Sequence, residues 1–242
     1  MGFRLERQHI IRNYEFLQKK MSRRSLKGLL QHIKAQGFIP GTVIDVGVAT
    51  GTPELYSVFP KAQHLLLEPL VEFEPDIQRW VKQYEHMDYL IAAATNESGE
   101  TTFYMNKSLQ GSSLLSPAEE NSDNVQEERV VPMIRLDEVI TERKLPPPYL
   151  LKVDTQGSEM LVIEGAANIF DDVEYIVLEV SLYKFRDDTP LFHEVIATMK
   201  DYGFVLYDIS SLIYRELDNS LGQVDLAFVR ENGRFRQTNK WG

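Results

Sequence analysis

The chain has 242 residues, no cysteine and a formal net charge of −10, from 26 Lys+Arg against 36 Asp+Glu. Its length suits one domain with a sizeable core, and 43% hydrophobic with 10% aromatic residues excludes a disordered chain. The missing cysteines exclude disulfides, thiolate catalysis and zinc–thiolate sites, and the acidic balance argues against nucleic acid or anionic lipid as a non-specific partner.

The first twenty residues carry charges throughout and contain no apolar run long enough for a signal peptide or a membrane span, so a cytoplasmic chain without an integral membrane segment is expected. Residues 1–36 are basic, with nine Lys and Arg against Glu6 and Glu15. Ile10, Tyr14, Leu17 and Met21, then Leu26, Leu29, Leu30 and Ile33, recur at helical spacing. Two helices are predicted, bent near Ser22–Ser25 and closed by Gly37. Residues 1–38 therefore read as an N-terminal helical extension or lid, and as a route to a homo-oligomer. Residues 39–242 read as the main domain.

From Pro40 onward short apolar runs alternate with helix-like stretches. Thr42–Val46 (TVIDV) predicts a first strand, and Thr52-Pro53 opens a helix. Gln63–Leu67 is a second strand ending at Glu68-Pro69, and Glu72–Gln83 a helix. Tyr89–Ala94 (YLIAAA) is a third strand with Thr101–Met105 as a partner run. Asn106–Arg129 is a long polar stretch without clear period, which in a compact domain points to function or disorder. Val130–Met133 reads as extended and Arg135–Thr141 as a short helix. Tyr149–Val153 is a fourth strand followed by a helix over Ser158–Gly165, and Tyr175–Val180 a fifth. A helix over Leu191–Asp201 and strands at Phe204–Tyr207 and Val224–Val229 complete the chain. The continuous apolar strands and the strand–helix alternation predict an α/β domain with a mostly parallel sheet and an antiparallel final pair.

In such a sheet the ligand lies beyond the carboxyl ends of the strands. The first strand runs into Asp45-Val46-Gly47-Val48-Ala49-Thr50-Gly51, a tight turn that lacks the middle glycine of a dinucleotide fingerprint. Glu68 ends the second strand, where an acid can accept hydrogen bonds from ribose hydroxyls. Lys152 and Asp154 interrupt the apolar fourth strand on one side of it, where a buried charge needs a partner. Ser158 and Glu159 are explained equally well as helix-capping residues.

Val43–Thr52 (VIDVGVATGT), Leu65–Pro69 (LLLEP), Ile91–Gly99 (IAAATNESG), Arg135–Val139 (RLDEV) and Leu151–Ala166 (LKVDTQGSEMLVIEGA) together resemble the FkbM family of S-adenosylmethionine-dependent methyltransferases. The sequence departs from that pattern at Val48-Ala49-Thr50 and at Thr155-Gln156. The resemblance implies a Rossmann-like class I methyltransferase fold, with a seven-stranded, mostly parallel sheet and an antiparallel last strand, and S-adenosylmethionine as cofactor. It implies that Asp45, Gly47 and Gly51, with Thr50 in the same turn, line the methionine part. Glu68, followed by Pro69, would hold the ribose, and Ala93 or its neighbours the adenine. Asp154 and Gln156, beside Gly157, would face the transfer centre, and Ser112 within Gly111-Ser112-Ser113 would fold over the cofactor. Asp154 is the expected base or orienter, with Lys152 or a nearby histidine as alternatives. Glu179 reads either as part of the acceptor pocket or as a strand-end acid without catalytic use.

The expected reaction is O-methylation of a hydroxyl on a sugar, a glycan or a natural-product small molecule. Tyr183, Phe185 and Arg186 either grip that acceptor or pack a loop. No two of the five histidines have ligand spacing, so no metal residue is assigned, and a divalent metal on Asp154, Glu179 and loop acids has no support in the sequence. Two rival readings stand: an NAD-dependent oxidoreductase on a Rossmann fold, and a non-catalytic binding protein with a degenerate methyltransferase fold.

Overall fold

The computed structural model describes residues 24–241. The first expected helix and its basic face lie outside the described residues. The second is α1 (Leu26–Ala35), capped by the Ser25 hydroxyl, which accepts the Gly28 N–H at 3.2 Å, and closed by Gly37 at φ +83°. Its apolar face, Leu29, Leu30 and Ile33, is fully buried in the same core as Val43, Leu66 and Tyr175.

The main sheet has seven strands: β1 (Thr42–Val46), β2 (Gln63–Leu67), β3 (Met87–Leu90), β7 (Tyr149–Val153), β8 (Val173–Ser181), β9 (Phe204–Tyr214) and β10 (Leu221–Arg230). Their order is β3-β2-β1-β7-β8-β10-β9. All pairings are parallel except those of β10, which runs antiparallel to both β8 and β9. This is the seven-stranded arrangement with an antiparallel final pair that the sequence predicts. The strands β1 and β7 are buried along their whole length, as continuous apolar runs require when both faces are covered. One face carries α1, α2 (Pro53–Val58) and α3 (Glu74–Val81); the other carries α4 (Leu136–Arg143), α5 (Glu159–Gly165) and α6 (Phe192–Asp201).

Three features differ from the expectation. The run YLIAAA is not one strand: β3 ends at Leu90, and Ala93–Thr95 forms β4 in a separate sheet of order β4-β6-β5. In that sheet β5 (Gly99–Asn106) pairs antiparallel with β6 (Val125–Arg135), so the end of the expected polar loop is strand. Only one of its eleven residues is buried, which removes the apolar periodicity that would have marked it. The last two strands are also longer than expected and form a hairpin whose turn spans 215–220.

The order reverses between β1 and β7. Chain order steps outward through β2 and β3 on one side and through β8 on the other, which opens a crevice at the carboxyl ends of these strands.

Candidate active site

That crevice is a cleft of about 350 Å³. It brings together Gly47, Thr50, Gly51, Glu68, Pro69, Ala93, Ser112, Lys152, Asp154, Gln156 and Glu179. Asp45 and Gly157 are not among its lining residues. Asp45 is fully buried beneath the floor, where its Oδ2 accepts the Tyr56 hydroxyl at 2.8 Å and its Oδ1 has Lys152 Nζ at 3.5 Å. It acts on the cleft through Lys152 rather than by facing it.

The first turn is tight for a specific reason. Gly47 has φ +75°, and a Cβ there would lie 1.7 Å from the Asp154 carbonyl oxygen, so the β1 and β7 exits touch. Gly51 is required by packing: a Cβ would meet the Trp80 ring at 2.0 Å, and Trp80 Nε1 donates to the Thr50 carbonyl at 2.8 Å. Ala49, where a dinucleotide fingerprint has glycine, still takes a left-handed backbone at φ +45°. Its N–H is donated to Glu68 Oε2 at 2.8 Å, while the N–H groups of Gly47 and Val48 go to the Leu67 carbonyl and that of Thr52 goes to the Tyr56 hydroxyl. Those four N–H groups are thereby withheld from a pyrophosphate.

Glu68 is 5% exposed, and its Oε1 accepts the Leu70 N–H at 3.0 Å. Burial pushes its carboxyl up to about 7, against these two backbone hydrogen bonds. Each carboxylate oxygen keeps a lone pair for a further donor.

The floor is a row of charged groups carried by neighbouring strands. Asp45 on β1 is in register with Lys152 on β7, and Glu179 on β8 is in register with Asp225 on β10. Lys152 Nζ lies 3.4 Å from Asp154 Oδ2 and donates to the Gly47 carbonyl at 3.3 Å. Burial pulls the Lys152 ammonium down, but Asp154, Asp45, Glu179 and Asp225 outweigh it and hold it above the ordinary lysine value. That bias favours the ammonium form, which has no lone pair to accept a proton. Burial, with the Asp154, Glu159 and Asp225 carboxylates, pushes Glu179 up to about 9 against the pull of Lys152. Glu179 is thereby biased toward its protonated form, which offers an O–H donor. Its Oε2 accepts the side-chain amides of Gln156 and Gln223, both at 2.8 Å. Burial, then Asp154, raises Asp225 to about 6.

The 154–158 turn is built by Glu159. Its buried Oε1 accepts the N–H groups of Thr155 and Gly157 at 2.9 and 3.0 Å, and Ser158 makes no side-chain cap. The turn holds Gln156 at φ +56°, a strained position for a side-chain-bearing residue, with its amide bridging Asp154 at 3.0 Å and Glu179. The cleft also has an apolar lining, with Phe73, Ala93, Phe103, Leu109 and Leu114 from one hydrophobic cluster. Ser112 lines it too, its hydroxyl accepting the Asn106 N–H at 2.9 Å, while Ser113 ties this loop to the Thr155 carbonyl at 3.4 Å.

Sequence reasoning missed Asp225, Gln223 and the apolar lining. Asp225 interrupts the run VDLAFV just as Lys152 and Asp154 interrupt theirs, so the same signal was available. His64 is a packing residue: it is buried against Tyr56, burial lowers its pKa, and its Nε2 donates to the Phe59 carbonyl at 3.0 Å. Arg186 donates to the Leu115 carbonyl at 3.1 Å and to the Gly111 carbonyl, which packs the loop. Among the described residues no group of three or more His, Asp or Glu is arranged to hold a metal, and no helix is long and apolar enough to cross a membrane.

The model of the methyltransferase FkbM domain matches residues 45–206. Hexuronic acid methyltransferase AglP of Haloferax volcanii is 26% identical over 77 residues, which is 29% of this chain and 32% of that relative. The match thus spans about a third of the relative's length. Among solved structures, the FkbM methyltransferase of Methylobacillus flagellatus aligns with a TM-score of 0.49 at 14% identity, over 76% of this chain and 43% of that one. The magnesium protoporphyrin IX methyltransferase of Synechocystis, solved with bound S-adenosylmethionine, aligns with a TM-score of 0.48 at 9% identity, over 88% and 79%.

Proposed function

The chain belongs to the FkbM methyltransferase family, and we propose that it is an S-adenosylmethionine-dependent O-methyltransferase acting on a hydroxyl of a sugar, a glycan or a natural-product small molecule. The observation that carries this reading is one cleft lined both by an apolar cluster and by carboxylates at the strand ends. When bound, the cofactor supplies an electrophilic methyl group on a sulfonium whose positive charge is lost as the methyl leaves.

The residues fit that group. Phe73, Ala93 and Phe103 offer a dry face for the adenine, and Glu68, pre-oriented by two backbone N–H groups, has lone pairs for the ribose hydroxyls. Asp45, Asp154 and Asp225 around the single cation Lys152 leave the floor favourable to a positive charge. Asp154, with its side chain 31% exposed, is the group placed to receive the acceptor's hydroxyl proton. Lys152 at 3.4 Å and the Gln156 amide fix its direction. Glu179 donates a hydrogen bond to the acceptor. Alignment of the reactants supplies at most about 7–11 kcal/mol, and a positioned base adds roughly 10²–10⁴-fold. The uronic acid named for the Haloferax relative supports a carbohydrate acceptor. The committed turn N–H groups disfavour the pyrophosphate of a nicotinamide dinucleotide.

Calorimetric titration with S-adenosylmethionine and S-adenosylhomocysteine tests the cofactor, and methyl-label transfer to a panel of glycosides and nucleotide sugars tests the acceptor. Saturable binding of both cofactor forms is expected, and Asp154→Asn should cut turnover far more than cofactor affinity. Absence of cofactor binding would overturn the reading. Equal losses of turnover and affinity in Asp154→Asn would remove Asp154 from the proton-accepting role.

A further inference from the structure

A second cavity, a groove of about 680 Å³, adjoins the cleft and shares Gln156 with it. Its walls come from residues 106–125, residues 181–189 and the β9–β10 hairpin. These segments are stitched together. The Ala118 N–H and the Asn121 amide donate to the Phe185 carbonyl at 3.3 and 3.1 Å, Asp187 N–H to the Ser116 carbonyl at 3.2 Å, and Leu182 N–H to the Gly222 carbonyl at 2.8 Å. The buried Arg186 guanidinium closes the same seam. The groove is a built site rather than a gap between loops.

Its two ends differ in chemistry. The inner end, next to Glu179, presents the amides of Gln156 and Gln223. Thr189 lines this end at 3% exposure, and its enclosed Oγ1 has no hydrogen-bond partner among the described residues, a cost that a ligand hydroxyl would relieve once the Thr189 side chain rotates toward the groove. The outer lip is apolar and open to water: Ile213 is 44% exposed, Tyr214 52% and Leu217 82%. Tyr183 stands beside it, with the Arg215 guanidinium 4.2 Å above its ring.

We infer that this groove binds an amphiphilic acceptor, with a hydroxylated, sugar-like end at Gln156, Gln223 and Thr189 and an apolar substituent of several carbons along Ile213, Tyr214 and Leu217. This rests on the methyl-transfer reading of the cleft, since it makes the inner end the place where the acceptor hydroxyl meets Asp154. The apolar substituent is an alkyl chain or an aromatic group, two sources of one chemistry.

The test uses the full chain and three probes: methyl, octyl and phenyl β-glucoside, each below the concentration at which micelles form. Binding is followed by the methyl resonances of isotope-labelled isoleucine and leucine. Octyl glucoside should bind at least about tenfold more tightly than methyl glucoside and should shift the signals of Ile213 and Leu217. Phenyl glucoside matching octyl glucoside would assign an aromatic substituent, and weaker binding an alkyl chain. The exposed pair Ile213→Ser and Leu217→Ser should abolish the preference by lowering octyl glucoside affinity to that of methyl glucoside. Equal affinities for octyl and methyl glucoside, no octyl glucoside binding, or an undiminished preference in the double variant would overturn the inference. S-adenosylmethionine affinity is measured on the same samples. Normal cofactor binding with no octyl preference defeats the amphiphilic acceptor alone, whereas loss of cofactor binding defeats the reading of the cleft.

Discussion

Glu68 holds two backbone N–H groups, and on the proposed reading the same pair of oxygens takes two ribose hydroxyls. Glu68→Gln puts an NH2 group opposite either the Ala49 or the Leu70 N–H, and a buried donor left without an acceptor costs about 1–3 kcal/mol. Cofactor affinity measured by calorimetry should fall by roughly ten- to a hundredfold, and an unchanged affinity would remove Glu68 from the binding set. Because burial pushes Glu68 up to about 7, its ionised form fades as pH drops from 8 to 6. Affinity should fall over that interval in the natural protein and stay level in Glu68→Gln. Lys152 makes a different demand. Its removal in Lys152→Met leaves Asp45 fully buried without its cation, a loss worth about 3–5 kcal/mol. Urea denaturation should show that loss, and adding Asp45→Asn should restore part of it, since the two groups form one coupled pair.

Across neighbouring strands, the Glu179–Asp225 register sets how stability responds to pH. Both carboxyls are raised, to about 9 and about 6, so the folded chain holds protons that the unfolded chain has released. Their stabilising contribution is complete below the ordinary carboxylate range and is lost as pH rises through 6 and then 9. Glu68, at about 7, has the same sign. Lys152, raised from its ordinary value of about 10.4, keeps its contribution throughout. Thermal melts should therefore show a melting temperature that declines from pH 6 to pH 9, with a shallower decline in Glu179→Gln. A rise over that interval would contradict the buried-acid arrangement.

These same strands were legible in the sequence because each is a continuous apolar run closed by a charge, as at Asp45, Glu68, Lys152 and Glu179. The departure of β4 was not legible, because Ile91-Ala92 lies inside an unbroken apolar run and carries no turn residue. The motif RLDEV, one carrier of the family resemblance, lies outside the cleft: Arg135 grips Asp137 at 2.6 Å and the Asn96 carbonyl at 2.7 Å, while Asn168 donates to Asp137 at 2.7 Å. It braces α4 against the β4–β5 turn, and a sequence pattern alone does not separate such a brace from a binding residue.

The charge of the molecule is unevenly placed. Residues 1–36 carry +7, which leaves −17 on residues 37–242, the part that contains the cleft. S-adenosylmethionine and S-adenosylhomocysteine differ in net charge by the single positive charge at sulfur, so they separate electrostatic attraction from shape. An acidic cleft should capture the cationic form faster at low salt, with an advantage of order tenfold. That advantage should shrink as the Debye length falls from about 30 Å at 0.01 M to about 3 Å at 1 M. Trp80 is a suitable reporter, because its ring packs on Gly51 at the cleft's edge, while the other tryptophan, Trp241, is fully exposed and can be replaced by phenylalanine. Stopped-flow fluorescence should then give association rates for the two ligands that converge with rising salt. If both rates showed the same salt dependence, the acids of the floor would be acting only at contact, through Lys152 and Glu68, and the field of the acidic body would have no part in capture.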